Sequence, residues 1–315
     1  MSKITKCIFL IFLAISGILT VMGFLGRFGW LFDLASYFRM QYLLVQLLCI
    51  IFFVFFGTRK ILLTALVLAG LNLILITPFY IHPSFRPVET RAKLNRIKIV
   101  SINVHTAIKD YQRLFGYIQK VDPDILTLDE INKTWFGVLS EQLEEYKFAR
   151  FSDCGECKGI GVLSKIIPVR DKVSYFSKAR IPLIELVFEN KPHEFMLMFT
   201  HSICPDRASF FYQRNRHLHD LAVFIKKAGR NFVLVGDLNT GPWSYYFAKF
   251  LRQTGLRDGR LGFGVFATWR ASLFLSAMID QCLVGEGIVV LDYKAGPDIG
   301  SDHFPLCCEI GMAGV

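Results

Sequence analysis

Charge is what the N-terminal part of this chain lacks. Residues 7–26, 40–58 and 61–81 form three stretches without Lys, Arg, Asp, Glu or His. Each is long enough to cross a bilayer core of roughly 30 Å at about 1.5 Å per helical residue. An ordinary soluble protein is thereby excluded, because 53% of the 315 residues are hydrophobic and the excess sits before residue 82. A cleaved leader competes for the first stretch, since Lys3 and Lys6 precede its apolar run. No A-x-A-like cleavage site is evident and two further apolar stretches follow, so residues 1–81 are expected to be an anchor of three transmembrane helices.

Other absences narrow the chemistry. No internal repeat or low-complexity tract occurs. Cys154-Gly-Glu-Cys157 has no second ligand pair at suitable spacing, which removes a zinc site; a local disulfide, a redox pair and two plain thiols stay open. No nucleophilic Ser or Cys motif stands out. The formal charge of +10 is unevenly placed: residues 1–96 hold ten basic and two acidic residues, leaving 26 basic and 24 acidic for the rest. The remainder lacks the broad basic footprint of a protein held on a phosphate backbone, so nucleic acid is not the expected partner. Arg86, Arg91, Lys93 and Arg96 are expected against anionic headgroups. Lys3, Lys6, Arg59 and Lys60 fall on one side of the membrane, Arg27, Arg39 and that basic cluster on the other, and the positive-inside count does not favour export.

What is present after the anchor is a linker over 82–96 and a domain over 97–315, about 220 residues, ample for one core. Ile97–Asn103, Ile125–Leu128, Phe195–Thr200, Phe232–Val235, Met278–Val284 and Phe304–Ile310 read as strands. Asp110–Lys120 and Gln213–Lys227 read as helices, which predicts an α/β protein with layered sheets. Polar residues recur where the strands end: Asn103, Glu130, His201, Asp237 with Asn239, Asp280, and Asp302 with His303. Strand ends can bring distant residues to one pocket. Carboxylates, carboxamides and two His suit a hard cation such as Mg²⁺ or Mn²⁺ and attack by water.

The ordered set Ile-Asn-Val (102–104), Leu-Asp-Glu (128–130), Thr-His-Ser (200–202), Gly-Asp-Leu-Asn (236–239), Ile-Asp-Gln (279–281) and Ser-Asp-His (301–303) resembles the endonuclease/exonuclease/phosphatase family. The resemblance implies a four-layer α/β sandwich. It also implies that Glu130 ligates the metal with Asn103 and Asp302 close by, and that Asp237 orients or deprotonates the attacking water. Asn239 would hold phosphate or water, His303 steered by Asp280 would stabilise charge on the phosphate, and His201 would contact a phosphoryl oxygen. Asp129 stands where the family more often has Gln, and competes with Glu130 for its role. His105 is expected to be structural, and His217 and His219 solvated on a charged helix.

Gly236–Ser244, Thr254–Asp258, Thr268-Trp269 and Ile279-Asp280 are similar to a bacterial membrane branch that includes glycopeptide-resistance proteins of the VanJ type. That resemblance implies an exported domain on the cytoplasmic membrane and a lipid-linked pyrophosphate as candidate substrate, with Trp243, Tyr245, Tyr246 and Phe247 as an apolar rim beside Asp237. The expected function is metal-dependent hydrolysis of a phosphate or pyrophosphate ester. A tethered nuclease or phospholipid phosphodiesterase is the enzyme alternative, and an inactive anchored binding module the non-enzyme one. Oligomeric state is not legible.

Overall fold

In hydrocarbon a backbone must satisfy its own polar groups, so apolar stretches of this length fold as helices. In the computed structural model, which describes residues 3–81, 94–105, 111–153, 159–177, 179–190, 193–227, 231–272 and 274–313, they do so. Helix α1 spans Lys3–Met22, α2 Trp30–Ala35, α3 Arg39–Phe56 and α4 Arg59–Ile76. Short 3₁₀ turns at Gly23–Phe28, Ser36–Phe38 and Thr77–Phe79 extend these elements. Three segments, Lys3–Phe28, Trp30–Phe56 and Arg59–Phe79, are long and apolar enough to cross a membrane. Their outer faces expose apolar side chains such as Ile11, Phe55 and Ile74. Their inner faces carry a polar knot: Asn72 Nδ2 donates to Thr20 Oγ1 and to Gln46 Oε1, both at 3.0 Å, and Arg39 Nη1 donates to Asn72 Oδ1 at 3.1 Å. One residue from each segment, plus Arg39, thus ties the three together.

The domain runs β1 (Leu94–Asn103), α5 (Tyr111–Val121), β2 (Ile125–Ile131), α6 (Lys133–Gln142), β3 (Phe148–Ser152), β4 (Gly159–Ser164), β5 (Arg170–Phe176), β6 (Ile181–Asn190), β7 (His193–Thr200) and α7 (Ala208–Ile225). It continues with β8 (Phe232–Asp237), α8 (Tyr245–Thr254), β9 (Arg257–Asp258), β10 (Trp269–Arg270), β11 (Ser276–Ala277), β12 (Asp280–Val284), β13 (Ile288–Ala295) and β14 (Leu306–Ala313). One six-stranded sheet has the order β13-β14-β1-β2-β4-β3, the other β5-β6-β7-β8-β12-β9.

Side-chain alternation along the strands decides the layering. In β1, Ile97 and Ile99 face the other sheet and pack with Leu186, Phe199, Val233 and Val235. Its alternate residues Val100 and Ile102 pack outward on Leu114 and Ile118 of α5 and Leu139 of α6. The second sheet turns Met198, Leu234 and Leu283 outward onto Leu221 of α7 and Phe250 of α8. Helices, sheet, sheet, helices: this is the four-layer sandwich expected from the sequence.

Each sheet contains one parallel pair, β1 with β2 and β7 with β8. Each pair is bridged in sequence by a helix, α5 or α7. Ligand sites form beyond the carboxyl ends of such strands, and here Asn103, Glu130, His201 and Asp237 all lie at or next to those ends.

The anchor is seated on the domain. Trp30 Nε1 donates to Pro205 O at 2.7 Å, Gln41 Nε2 to Ser276 O at 2.7 Å, and Trp243 Nε1 to Leu75 O at 3.1 Å. The Phe79 and Trp243 rings meet edge to face at 5.7 Å. The expected rim beside Asp237 is divided among other contacts: Trp243, which precedes α8, meets the anchor, Tyr246 OH lies 3.5 Å from Arg27 O, and the amphipathic α8 buries Phe247 beneath the second sheet. Arg96 pairs with Glu309 of the neighbouring β14 at 3.1 Å. Arg86, Arg91, Lys93, Cys154 and Cys157 lie outside the described residues.

Candidate active site

Asp237 is the hub. It ends β8 directly opposite Asp280 of β12, and both side chains are buried. Asp237 Oδ2 accepts from Asn103 Nδ2 at 3.2 Å and lies 3.7 Å from His201 Nε2 and 3.8 Å from His303 Nε2. Its other oxygen accepts from the backbone N of Asn239 at 2.7 Å. Burial above all, and then the charge of Asp280, push the Asp237 carboxyl well above the ordinary carboxylate range.

His303 sits before β14, and its backbone is fixed by a bridge to Trp269 and by Ser301 Oγ, which accepts from its N at 3.0 Å. Its Nδ1 lies 2.9 Å from Asp280 Oδ2. Burial opposes the imidazolium, but Asp280 first and Asp237 after it outweigh burial and hold the pKa up to about 10. Thr268 Oγ1 accepts from the backbone N of Ile279 and of Asp280, both at 3.1 Å, and so fixes the strand that carries the steering carboxylate.

Glu130 approaches from the other sheet. The pairing of β2 with β4 is interrupted between Leu128 and Ile131, and Glu130 has φ +56. Bulges and left-handed backbone of this kind re-aim side chains next to functional sites. Asn103 Nδ2 donates to Glu130 Oε1 at 3.2 Å, and His201 Nε2 lies 3.9 Å from the same oxygen. Asn103 thus turns its amide nitrogen to both carboxylates, while its Oδ1 accepts from the backbone N of His105 at 3.0 Å. Asp302 is more exposed; Trp269 Nε1 donates to it at 3.1 Å. Asn239 Nδ2 donates to Ser202 O at 2.9 Å and lies 3.3 Å from His201 Nε2. All eight residues named from the sequence therefore meet around one pocket between the sheets.

The donor chemistry fits a hard divalent cation, being rich in carboxylate oxygen with imidazole beside it. Asp237, Asp280 and His303 offer ligand atoms within 4.8 Å of one another. His303 could turn Nε2 to a cation among these three while Nδ1 stays on Asp280. The Glu130 carboxylate offers a second anionic place in the same pocket.

Three residues differ from the sequence reading. His105 stands at the mouth, its Nδ1 3.4 Å from Glu130 Oε2 and 3.7 Å from Asp302 Oδ1, so it belongs to the site. His217 is fully buried, not solvated, with Nδ1 2.8 Å from Ser202 Oγ, and burial first and His201 second push its pKa down to about 3. Its signal was present: Arg214, His217, Leu218, Leu221 and Ile225 recur at helical spacing on the buried face of α7. Asp129 is not a second ligand at the mouth. It points inward from β2 and is fully buried, and burial, Asp237 and Asp280 in that order hold its carboxyl well above the ordinary range.

Residues 100–303 match the Endonuclease/Exonuclease/phosphatase family. The chain belongs to this family. Among solved structures, an endonuclease/exonuclease/phosphatase protein from Beutenbergia cavernae is 19% identical over 70% of this chain and 72% of its own, with a TM-score of 0.59. A mannosyl-6-phosphatase from Bacteroides thetaiotaomicron is 17% identical over 68% of this chain and 99% of its own, with a TM-score of 0.57. A D. rerio TDP2 complexed with a single-strand DNA product is 15% identical over 69% of this chain and 99% of its own, with a TM-score of 0.54. These likenesses show the fold of the family. No curated protein matches the chain.

Proposed function

We propose that this endonuclease/exonuclease/phosphatase-family protein hydrolyses a phosphate or pyrophosphate ester at a membrane surface, with a lipid-linked pyrophosphate as the leading substrate class. The observation that carries the reading is the convergence of Asp237, Asn239, His201, His303 and Glu130 beside helices fit to cross a bilayer. Glu130, with Asn103 and Asp302 beside it, would hold Mg²⁺ or Mn²⁺, which when bound supplies Lewis-acid polarisation of a phosphoryl oxygen.

The protein's own groups divide the remaining work. Asp237, its proton affinity raised by burial and by Asp280, orients the attacking water and takes its proton. His303, kept cationic by Asp280, offsets charge growing on the phosphoryl oxygens, and His201 donates to one of them. Asn239 fixes water or phosphate from the adjoining turn. A cleft of about 210 Å³ between anchor and domain, lined by Met40, Trp243, Val265 and Met278 with the polar Gln41 and Ser276, would receive an apolar portion of the substrate. The resemblance to VanJ-type proteins supports placing the domain on the outer face of a bacterial cytoplasmic membrane.

The test is phosphate release from undecaprenyl pyrophosphate by the full-length protein in detergent with Mg²⁺ or Mn²⁺, beside an arm with single-stranded DNA. Activity on the lipid, abolished by EDTA and lowered about 10²–10⁴-fold in Asp237→Ala, is expected. Full activity in that variant refutes the role of Asp237, and turnover of DNA alone makes the protein a tethered nuclease. Calorimetry on Glu130→Gln locates the cation: weakened binding is expected, and unchanged affinity moves it to the Asp237, Asp280 and His303 group.

A further inference from the structure

We propose that the anchor supplies part of the catalytic apparatus: Asp33 and Tyr37, from the stretch between α1 and α3, act through Arg214 as positioning residues for the turn Asp237–Gly241.

The contacts are buried and specific. Arg214 of α7 is fully buried, and its Nη2 donates to Asp33 Oδ2 at 2.8 Å. Its Nη1 donates to Asn239 O and to Tyr37 OH, both at 2.7 Å. Tyr37 OH itself donates to Asn239 O at 3.1 Å. Asp33 Oδ1 accepts from Ser244 Oγ at 2.7 Å, and Ser244 in turn caps α8. At Gly241 an added Cβ would lie 3.2 Å from the Tyr37 ring, so that ring rests on the turn's backbone. The anchor therefore grips both ends of the segment that joins Asp237 to α8.

The gripped atom is the informative one. Asn239 has φ +50, in a left-handed region that costs a non-glycine residue about 1 kcal/mol or more and persists only where its surroundings over-determine it. Two donors converge on its carbonyl, its own N bonds Asp237 Oδ1, and its side chain reaches Ser202 O. Rotation of the peptide after Asn239 is resisted by Tyr37 and Arg214, and the Asn239 N–H, on the preceding peptide, keeps the Asp237 carboxylate aimed. Arg214 in turn needs the Asp33 charge, since a buried guanidinium without a carboxylate is strongly unfavourable.

The kinetic arm of the test rests on the hydrolase reading; a second arm does not. Tyr37→Phe and Asp33→Asn are made in the full-length protein in detergent, and kcat, KM, hydrogen exchange of Leu238–Ser244 and thermal unfolding are measured. In Tyr37→Phe, kcat falls about tenfold with KM within about twofold, as loss of one hydrogen bond to a strained turn requires. Exchange across Leu238–Ser244 accelerates while β6 and β7 keep their protection. An unchanged kcat in Tyr37→Phe overturns the proposal even if the melting temperature drops, because a purely structural lock would do only that. Should the wild type turn over no phosphoester, the hydrolase reading falls. Accelerated exchange in that turn would then still support positioning, and unchanged exchange would overturn it. Tyr37→Phe decides the matter alone if Asp33→Asn fails to fold.

Discussion

At the scale of single residues, the site works by setting neighbouring groups against each other. Asp237 and His303 lie 3.8 Å apart, yet burial and Asp280 raise the proton affinity of the first while Asp280 and Asp237 raise that of the second. The pair is suited to moving a proton and holding a positive charge together. Asp280 stabilises the imidazolium, so Asp280→Asn favours the neutral ring. The alkaline limb of the kcat/KM profile is expected to move to lower pH, with the acid form of His303 lost first. An unmoved limb would show that another group sets it. The residues that meet in this pocket were legible because their motifs keep a fixed order along the chain. His217 and Arg214 were overlooked, since each carries a charge-bearing side chain that composition assigns to solvent. Only the helical spacing of α7, and the partners Ser202 and Asp33 from distant segments, place them inside.

At the scale of elements, strand ends were easier to read than irregular turns. The strands around Asn103, His201 and Asp237 stop where the sequence reading placed their polar ends, as apolar runs meeting polar residues should. The interruption of β2 that aims Glu130 left no trace, because a bulge is defined by pairing with β4 and not by local composition. The spans were legible from length alone, whereas α2 was hidden: Trp30–Ala35 is too short for a periodic signal and owes its place to contacts with the domain. Within the bundle, Asn72→Leu removes the bonds to Thr20 and Gln46 and deprives Arg39 of its acceptor. It is expected to weaken helix association by about 1–2 kcal/mol, read as a lower midpoint in an SDS titration. An unchanged midpoint would mean the knot adds nothing beyond apolar packing.

At the scale of the whole molecule, anchor and domain form one working unit. The segments Gly23–Phe38 and Thr77–Phe79 lie at the domain-facing ends of the helices and meet Asn239 and Trp243, and Gln41 at the start of α3 meets Ser276. The six motifs predicted the pocket, but no local pattern tied it to residues two hundred positions earlier; that link is visible only when Asp33 is seen against Arg214.

A domain so clasped has no slack. Where a free tether would let the domain drift and tumble, this seat ties the position of the pocket to that of the apolar helices. Tilting of the helices is then felt as torque on the seat. Helices accommodate a bilayer of the wrong thickness by tilting, at a cost of fractions of a kcal/mol per Å. Reconstituted into vesicles of short, medium and long acyl chains, the protein is therefore expected to show a turnover optimum at one chain length. A flat response would describe a domain on a leash.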